Sequence, residues 1–168
     1  MALGKRICVL GPSNSGKSTF AERLGRKLNY PVLHLDQIAF LPHTNWVLAP
    51  IEETKRRHDA FIENETWIVD GQYMRYMPNR LARADTIVMI ETNRFKCLLR
   101  YLLRCIFGGK QRPGRLEGAT REFNFEMVTM ILFLQPKTWK TQMELIKHYP
   151  HIHIIKVRSF KELDELLA

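Results

Sequence analysis

Short uninterrupted apolar runs alternate along this chain with longer segments whose apolar residues return every three or four positions. The runs Arg6–Leu10, Val32–Asp36, Trp67–Asp70, Asp85–Glu91 and His151–Val157 predict five strands. They are nearly continuous in Val, Ile, Leu and Met, as strands covered on both faces must be. Lys17–Leu28 predicts a helix with Phe20, Leu24 and Leu28 on one face. Pro50 opens another at its first turn, with Glu52 and Glu53 near the positive end of its dipole. Asn93–Phe107 places Phe95, Leu98, Leu99, Leu102, Leu103 and Ile106 on one side and Lys96, Arg100 and Arg104 opposite. A helical stretch reaches about Lys147 with an interruption near Pro136, and Phe160–Leu167 closes the chain. Ala39–Pro50 and the Gly/Pro-rich, basic "GGKQRPGRLEG" are loops. Strands alternating with helices predict an α/β fold, a parallel sheet with helices on both faces, in a single domain spanning 1–168.

Composition narrows the class. With 168 residues and 45% hydrophobic content, the chain can bury one core. No apolar run approaches membrane-spanning length, and no signal peptide is read at the start, so a cytoplasmic protein is expected. Cys8, Cys97 and Cys105 lack Cys-x-x-Cys spacing and read as reduced packing residues. His151 and His153 share a strand face, but no further ligand lies nearby, so a solvent-facing edge is the simpler reading. Trp46, Trp67 and Trp139 read as core or lining residues, with Trp46 also placed to line an acceptor pocket.

The net charge of +9 is uneven. Between Arg94 and Arg121 eight basic residues face Glu117 alone, which puts +7 into that segment. A solvated helix face with a basic loop, a phosphate clamp, or a nucleic-acid patch would each look like this.

The chemistry lies in Gly11-Pro12-Ser13-Asn14-Ser15-Gly16-Lys17-Ser18-Thr19, which fits G-x-x-x-x-G-K-[ST] between a strand and a helix. Its glycines permit the turn, and its N–H groups with the helix N-terminus cradle phosphate. Lys17 is expected at the β- and γ-phosphates of ATP and Ser18 on Mg²⁺. A carboxylate at a neighbouring strand end should complete the metal shell. Asp70, ending "TWIVDG", and Asp36, ending "VLHLD", are the candidates, each with an ordinary turn or cap role as its alternative.

These residues, with "LDQIAFLPHTNWVLAP", "WIVDGQYMR", "ADTIVMIETNR" and the pair Arg100 and Arg104, make the chain resemble the adenylate-kinase-like P-loop kinases, closest to the bacterial topology modulation proteins. The resemblance implies a three-layer P-loop NTPase fold, with strand order 2-3-1-4-5 and a small basic lid at about 108–120. It implies that Asp70 works on the Mg²⁺ side. Asp36 stands where shikimate- and gluconate-kinase-like members carry a substrate-binding aspartate. Arg158 is expected on the nucleotide side. The acceptor side would be about 37–66, although that segment is unlike an AMP site and Gln72-Tyr73-Met74 intervene before Arg75.

The function expected is transfer of the γ-phosphate of ATP·Mg²⁺ to a small acceptor, nucleotide-like or a hydroxyl compound. Lys17 and Asp36 would serve the chemistry, and Arg104, Arg112, Arg115 and Arg121 would close on the phosphates and exclude water. The alternatives are an ATP-gated nucleic-acid-binding protein and a bare ATPase. The segment rich in arginine has few aromatics for stacking bases, and no nucleic-acid-binding signature appears.

Overall fold

The computed structural model describes residues 3–44, 46–107, 113–118 and 123–168. Strands β1 (Arg6–Leu10), β2 (Val32–His34), β3 (Trp67–Asp70), β4 (Thr86–Ile90) and β5 (His153–Val157) form one parallel sheet in the order β2-β3-β1-β4-β5. That order matches the expected one. Helices α1 (Lys17–Leu28), α2 (Leu35–Ala39), α3 (Ile51–Ile62), α4 (Met77–Arg83), α5 (Arg94–Phe107), α6 (Phe125–Thr129), α7 (Gln135–Ile146) and α8 (Phe160–Leu166) complete the described chain.

Alternation along the strands makes two cores. Ile7, Val9, Ile68, Val88 and Ile155 face Phe20, Ala21 and Leu24 of α1 and Leu163 of α8. Cys8, Leu10, Val69, Ile87 and Met89 face Leu35, Ile38, Ile62, Met77, Leu81 and Ile146 on the other side. Each fully buried aliphatic side chain contributes about 1.5–3 kcal/mol, so these layers fix the carboxyl ends of β1 and β3 side by side. Trp67 is buried, and Cys8 and Cys97 are buried packing residues with Cys105 half-buried, none in a disulfide. His153 and, in the preceding turn, His151 are exposed.

Two features depart from the sequence expectation. β2 stops at His34, and the chain turns at once into α2, so Asp36 sits on a short helix and not at a strand end. The turn buries Leu35, Ile38 and Ala39 where an extended chain would have projected alternate residues into solvent. Second, the apolar side of α5 does not face the protein. Cys97 and Tyr101 are buried against Ile131, while Phe95, Leu99, Leu103 and Ile106 are exposed. Both sheet faces are already covered by other helices, so α5 packs instead on the segment that follows the basic loop.

That segment is helical with an interruption near Pro136, as expected, in the form of a π-helical turn, Met130–Leu134, between α6 and α7. Gln135 N–H donates to Met130 O, five residues back. Pro136 has no N–H for the carbonyl four residues before it, Leu132, and Arg94 Nη1 donates to that oxygen at 3.1 Å. The proline thus causes the interruption and also anchors a guanidinium from α5.

Candidate active site

The phosphate loop runs from β1 into α1. Asn14 (φ 63°) and Gly16 (φ 97°) adopt left-handed conformations that curl successive N–H groups toward one concavity. At Gly16 a Cβ would also sit 3.0 Å from the Phe160 ring, a tight approach that adds to the strain of the left-handed backbone. Lys17 Nζ donates to Pro12 O at 2.9 Å, folded back across the loop. Gln72 Nε2 donates to Gly11 O at 2.8 Å, and the buried Arg80 Nη2 donates to Gln72 O at 2.9 Å. The turn after β3 is therefore fastened to the start of the loop. Ser15 Oγ is buried without a partner. Ser13 and Ser18 are half-buried and Thr19 is exposed.

Asp70 is buried at the end of β3, in register with His34 of β2. His34 Nδ1 donates to Asp70 Oδ2 at 3.0 Å, and His34 Nε2 to Glu22 Oε1 at 3.3 Å. Burial would raise the Asp70 pKa, but the His34 bond, the Lys17 charge and the Ser18 hydroxyl outweigh it and hold the carboxyl below its usual value. Burial would lower the His34 pKa, and its bonds to Asp70 and Glu22 reverse that and raise it. Asp70 Oδ1 is buried with no hydrogen-bond partner. An orphaned, ionised oxygen near the Ser18 hydroxyl is the donor set that suits a hard divalent cation.

Asp36 lies on the front of the cleft, open to solvent at its edge, and accepts from Tyr73 Oη at 2.7 Å. Crowding by surrounding protein, with repulsion from Asp70, raises its pKa despite the Tyr73 bond and the Lys17 charge.

The basic segment turns inward. Arg100 Nη1 reaches Ser15 O at 3.5 Å, and its guanidinium stacks 4.3 Å over Phe160. Arg104 stacks on Tyr101 at 5.2 Å, and Arg115 is half-buried. Arg112 and Arg121 lie outside the described residues, as do parts of the expected lid. Its described piece, 113–118, lies across the cleft. At Gly114 (φ 70°) a Cβ would stand 2.9 Å from Ser18 Oγ and 3.4 Å from His34 Nδ1. Leu116 is buried, Glu117 O accepts from His43 N at 2.7 Å, and Gln37 Nε2 reaches Arg115 O at 3.5 Å.

The structure thus brings Lys17, Ser18, Asp36, Asp70 and the 113–118 segment together. Arg158 is exposed, with Nε 3.0 Å from Glu91 Oε2, and lines one cavity with Pro12 of the loop. Trp46 packs edge-on against Phe40. Sequence reasoning missed His34, Tyr73, Gln72, Arg80 and the contacts of Arg100 with the loop. For His34 a signal existed: it precedes Asp36 in the run "VLHLD", at a position that pairs with Asp70.

No protein-family model matches the chain, and no curated protein matches it. Among solved structures, a gluconokinase from Sinorhizobium meliloti 1021 superposes with a TM-score of 0.53 at 15% sequence identity, covering 97% of this chain and 87% of that one. The five-stranded parallel architecture is thus one that a P-loop kinase also adopts.

Proposed function

We propose that the protein is an ATP- and Mg²⁺-dependent phosphotransferase acting on a small hydroxyl-bearing or nucleotide-like acceptor. The observation that carries this reading is the pairing of Lys17 and Ser18 with a buried, ionised Asp70 whose Oδ1 lacks a partner. The fold shared with a gluconokinase supports it.

In this reading the loop amides and Lys17 bind the β- and γ-phosphates, Lys17 exchanging the Pro12 carbonyl for phosphate oxygen. Ser18 and Asp70 would hold Mg²⁺, which neutralises charge on the phosphates as the bridging bond breaks. His34 and Glu22 keep Asp70 oriented. Arg100 and Phe160 form a stacking platform at the loop's far end, suited to the base. Were the acceptor held on the 37–66 side, Asp36, with its raised pKa, would take the proton of its hydroxyl as that oxygen bonds to phosphorus and ADP departs; an acceptor held elsewhere would lose that proton to solvent. Arg104 and Arg115, with the 113–118 segment, exclude water. The nucleic-acid alternative is less well supported, because Arg94, Arg100 and Arg104 lie against groups of this chain and do not form an open stripe.

ADP release from ATP·Mg²⁺ across a panel of phosphate acceptors, compared with the rate without acceptor, tests the proposal. Acceptor-dependent release is expected. Release independent of every acceptor would point to a bare ATPase, and tight, salt-sensitive duplex binding without release to the nucleic-acid alternative.

A further inference from the structure

A cavity of about 680 Å³ opens beside the phosphate loop, on the side away from the 37–66 segment expected to hold the acceptor. Its volume falls within the range of small-molecule sites, roughly 300–1,000 Å³. Its lining includes Pro12, whose carbonyl accepts from Lys17, and Gln72, in the turn after Asp70. The cavity therefore adjoins the loop expected to hold the nucleotide phosphates.

The walls define the occupant. Ile90, Ile131, Pro136 and Trp139 make most of the lining apolar, with the indole of Trp139 supplying an aromatic surface. Such walls suit a flat ring, while Gln72, Thr92 and Asn93 offer polar groups for a hydroxyl. Arg94 stands at the rim. Its Nη1 is spent on Leu132 O and its Cζ lies 5.2 Å from the Phe95 ring centroid, but no carboxylate pairs with it among the described residues. Arg158, the other lining guanidinium, is already paired with Glu91. One positive charge is thus left for an anionic ligand. Gln135 also lines the cavity, with its Oε1 buried and unpartnered. The π-turn that precedes Gln135 and the proline that follows it set these groups, since Pro136 is what leaves Leu132 O to hold Arg94.

We infer that this cavity binds the phosphoryl acceptor, and that the acceptor is a compound with a flat apolar ring, a free hydroxyl and one anionic group facing Arg94. This rests on the phosphotransferase reading for the word acceptor, while the cavity's ligand class stands on the lining alone.

Two measurements keep these apart. Binding to the nucleotide-free protein is followed by calorimetry with 4-hydroxybenzoate as a ring carboxylate, UMP as a ring phosphate, and gluconate as a polyol anion. ADP release from ATP·Mg²⁺ is then measured with the same three. The expected result is binding of at least one ring anion, tenfold or more weaker in Arg94→Gln and in Trp139→Leu, with gluconate not bound. Lys17→Ala should retain that binding and lose release. Melting temperatures of both cavity variants establish that they fold, and Arg94→Lys should recover part of the affinity. Which ring anion binds identifies the anionic group as carboxylate or phosphate. Binding without acceptor-dependent release keeps the cavity's ligand class and removes the phosphotransferase reading. Binding of gluconate alone, no binding of either ring anion, or equal affinity in Arg94→Gln, Trp139→Leu and the unaltered protein would overturn the inference.

Discussion

Helices α1 and α5 both leave the carboxyl edge of the sheet, and both carry an apolar side and a basic side. They are used in opposite ways. In α1 the apolar side is buried, and Phe20, Ala21 and Leu24 press on β1 and β3. Its N-terminus is therefore anchored where the Gly-rich loop enters it. In α5 the apolar side is largely exposed, and Arg100 reaches the phosphate loop at Ser15 O while Arg104 stacks on Tyr101. Amphipathicity specifies that a helix has two sides. Which side meets the rest of the chain depends on what space the other elements leave.

The sharpest way to probe this contrast is at the first residue of α1. Lys17→Ala should reduce turnover on the order of 10²–10³-fold, the scale of losing one preorganised group at developing charge. The melting temperature should stay unchanged. Retained turnover would reduce this helix start to an ordinary turn. One helical turn further on, Leu24→Ala should cost about 2–5 kcal/mol in chemical denaturation, because Leu24 is fully buried between α1 and the sheet. On α5, Arg100→Ala removes a cation stacked on Phe160, worth about 0.5–2 kcal/mol. ATP affinity should fall by several-fold in equilibrium titration while stability holds. A large loss of stability would show that α5 is held as α1 is.

A pH series tests the link from α1 to Asp70 through Glu22 and His34. The His34 pKa is raised, so its contribution is full below the ordinary histidine value of 6.5 and is lost as pH rises through the folded value. The Asp70 pKa is lowered, so its contribution is full above the ordinary 3.8 and is lost only as pH falls through a value beneath that. The melting temperature should decline as pH climbs past about 6.5, and His34→Gln should flatten that decline. The smallest effect is expected at Leu103→Ser, within about 0.5 kcal/mol for an exposed site. A loss of several kcal/mol there would mean that the apolar side of α5 is covered in solution.

The legible and illegible parts of the molecule divide along the same line. The strands and the phosphate loop were readable because their signals are contiguous: β1, β3 and β4 are unbroken apolar runs, and the loop motif has fixed spacing. Helix α2 was hidden because Leu35 prolongs the apolar run of β2, and five residues are too few to display a helical period. Helix α4 was missed because its buried set includes Arg80, a residue type that reads as surface. The orientation of α5 was unreadable because its packing partner, Ile131, lies 30 residues downstream of Tyr101. Asp36 and Asp70 were both singled out, but their different settings depend on Tyr73 and His34, which become partners only through the fold.

The segment 113–118 touches Ser18 and His34 through Gly114 and His43 through Glu117. One short piece of chain is therefore in contact with the phosphate loop at one end and with the 37–43 stretch at the other. A ligand that changes how this piece is seated at Ser18 changes its seating at His43 by the same act. Linkage makes the effect mutual: if filling one side raises affinity at the other by some factor, filling the second side raises affinity at the first by that same factor. Ligands on the two sides would thus be coupled thermodynamically without ever touching.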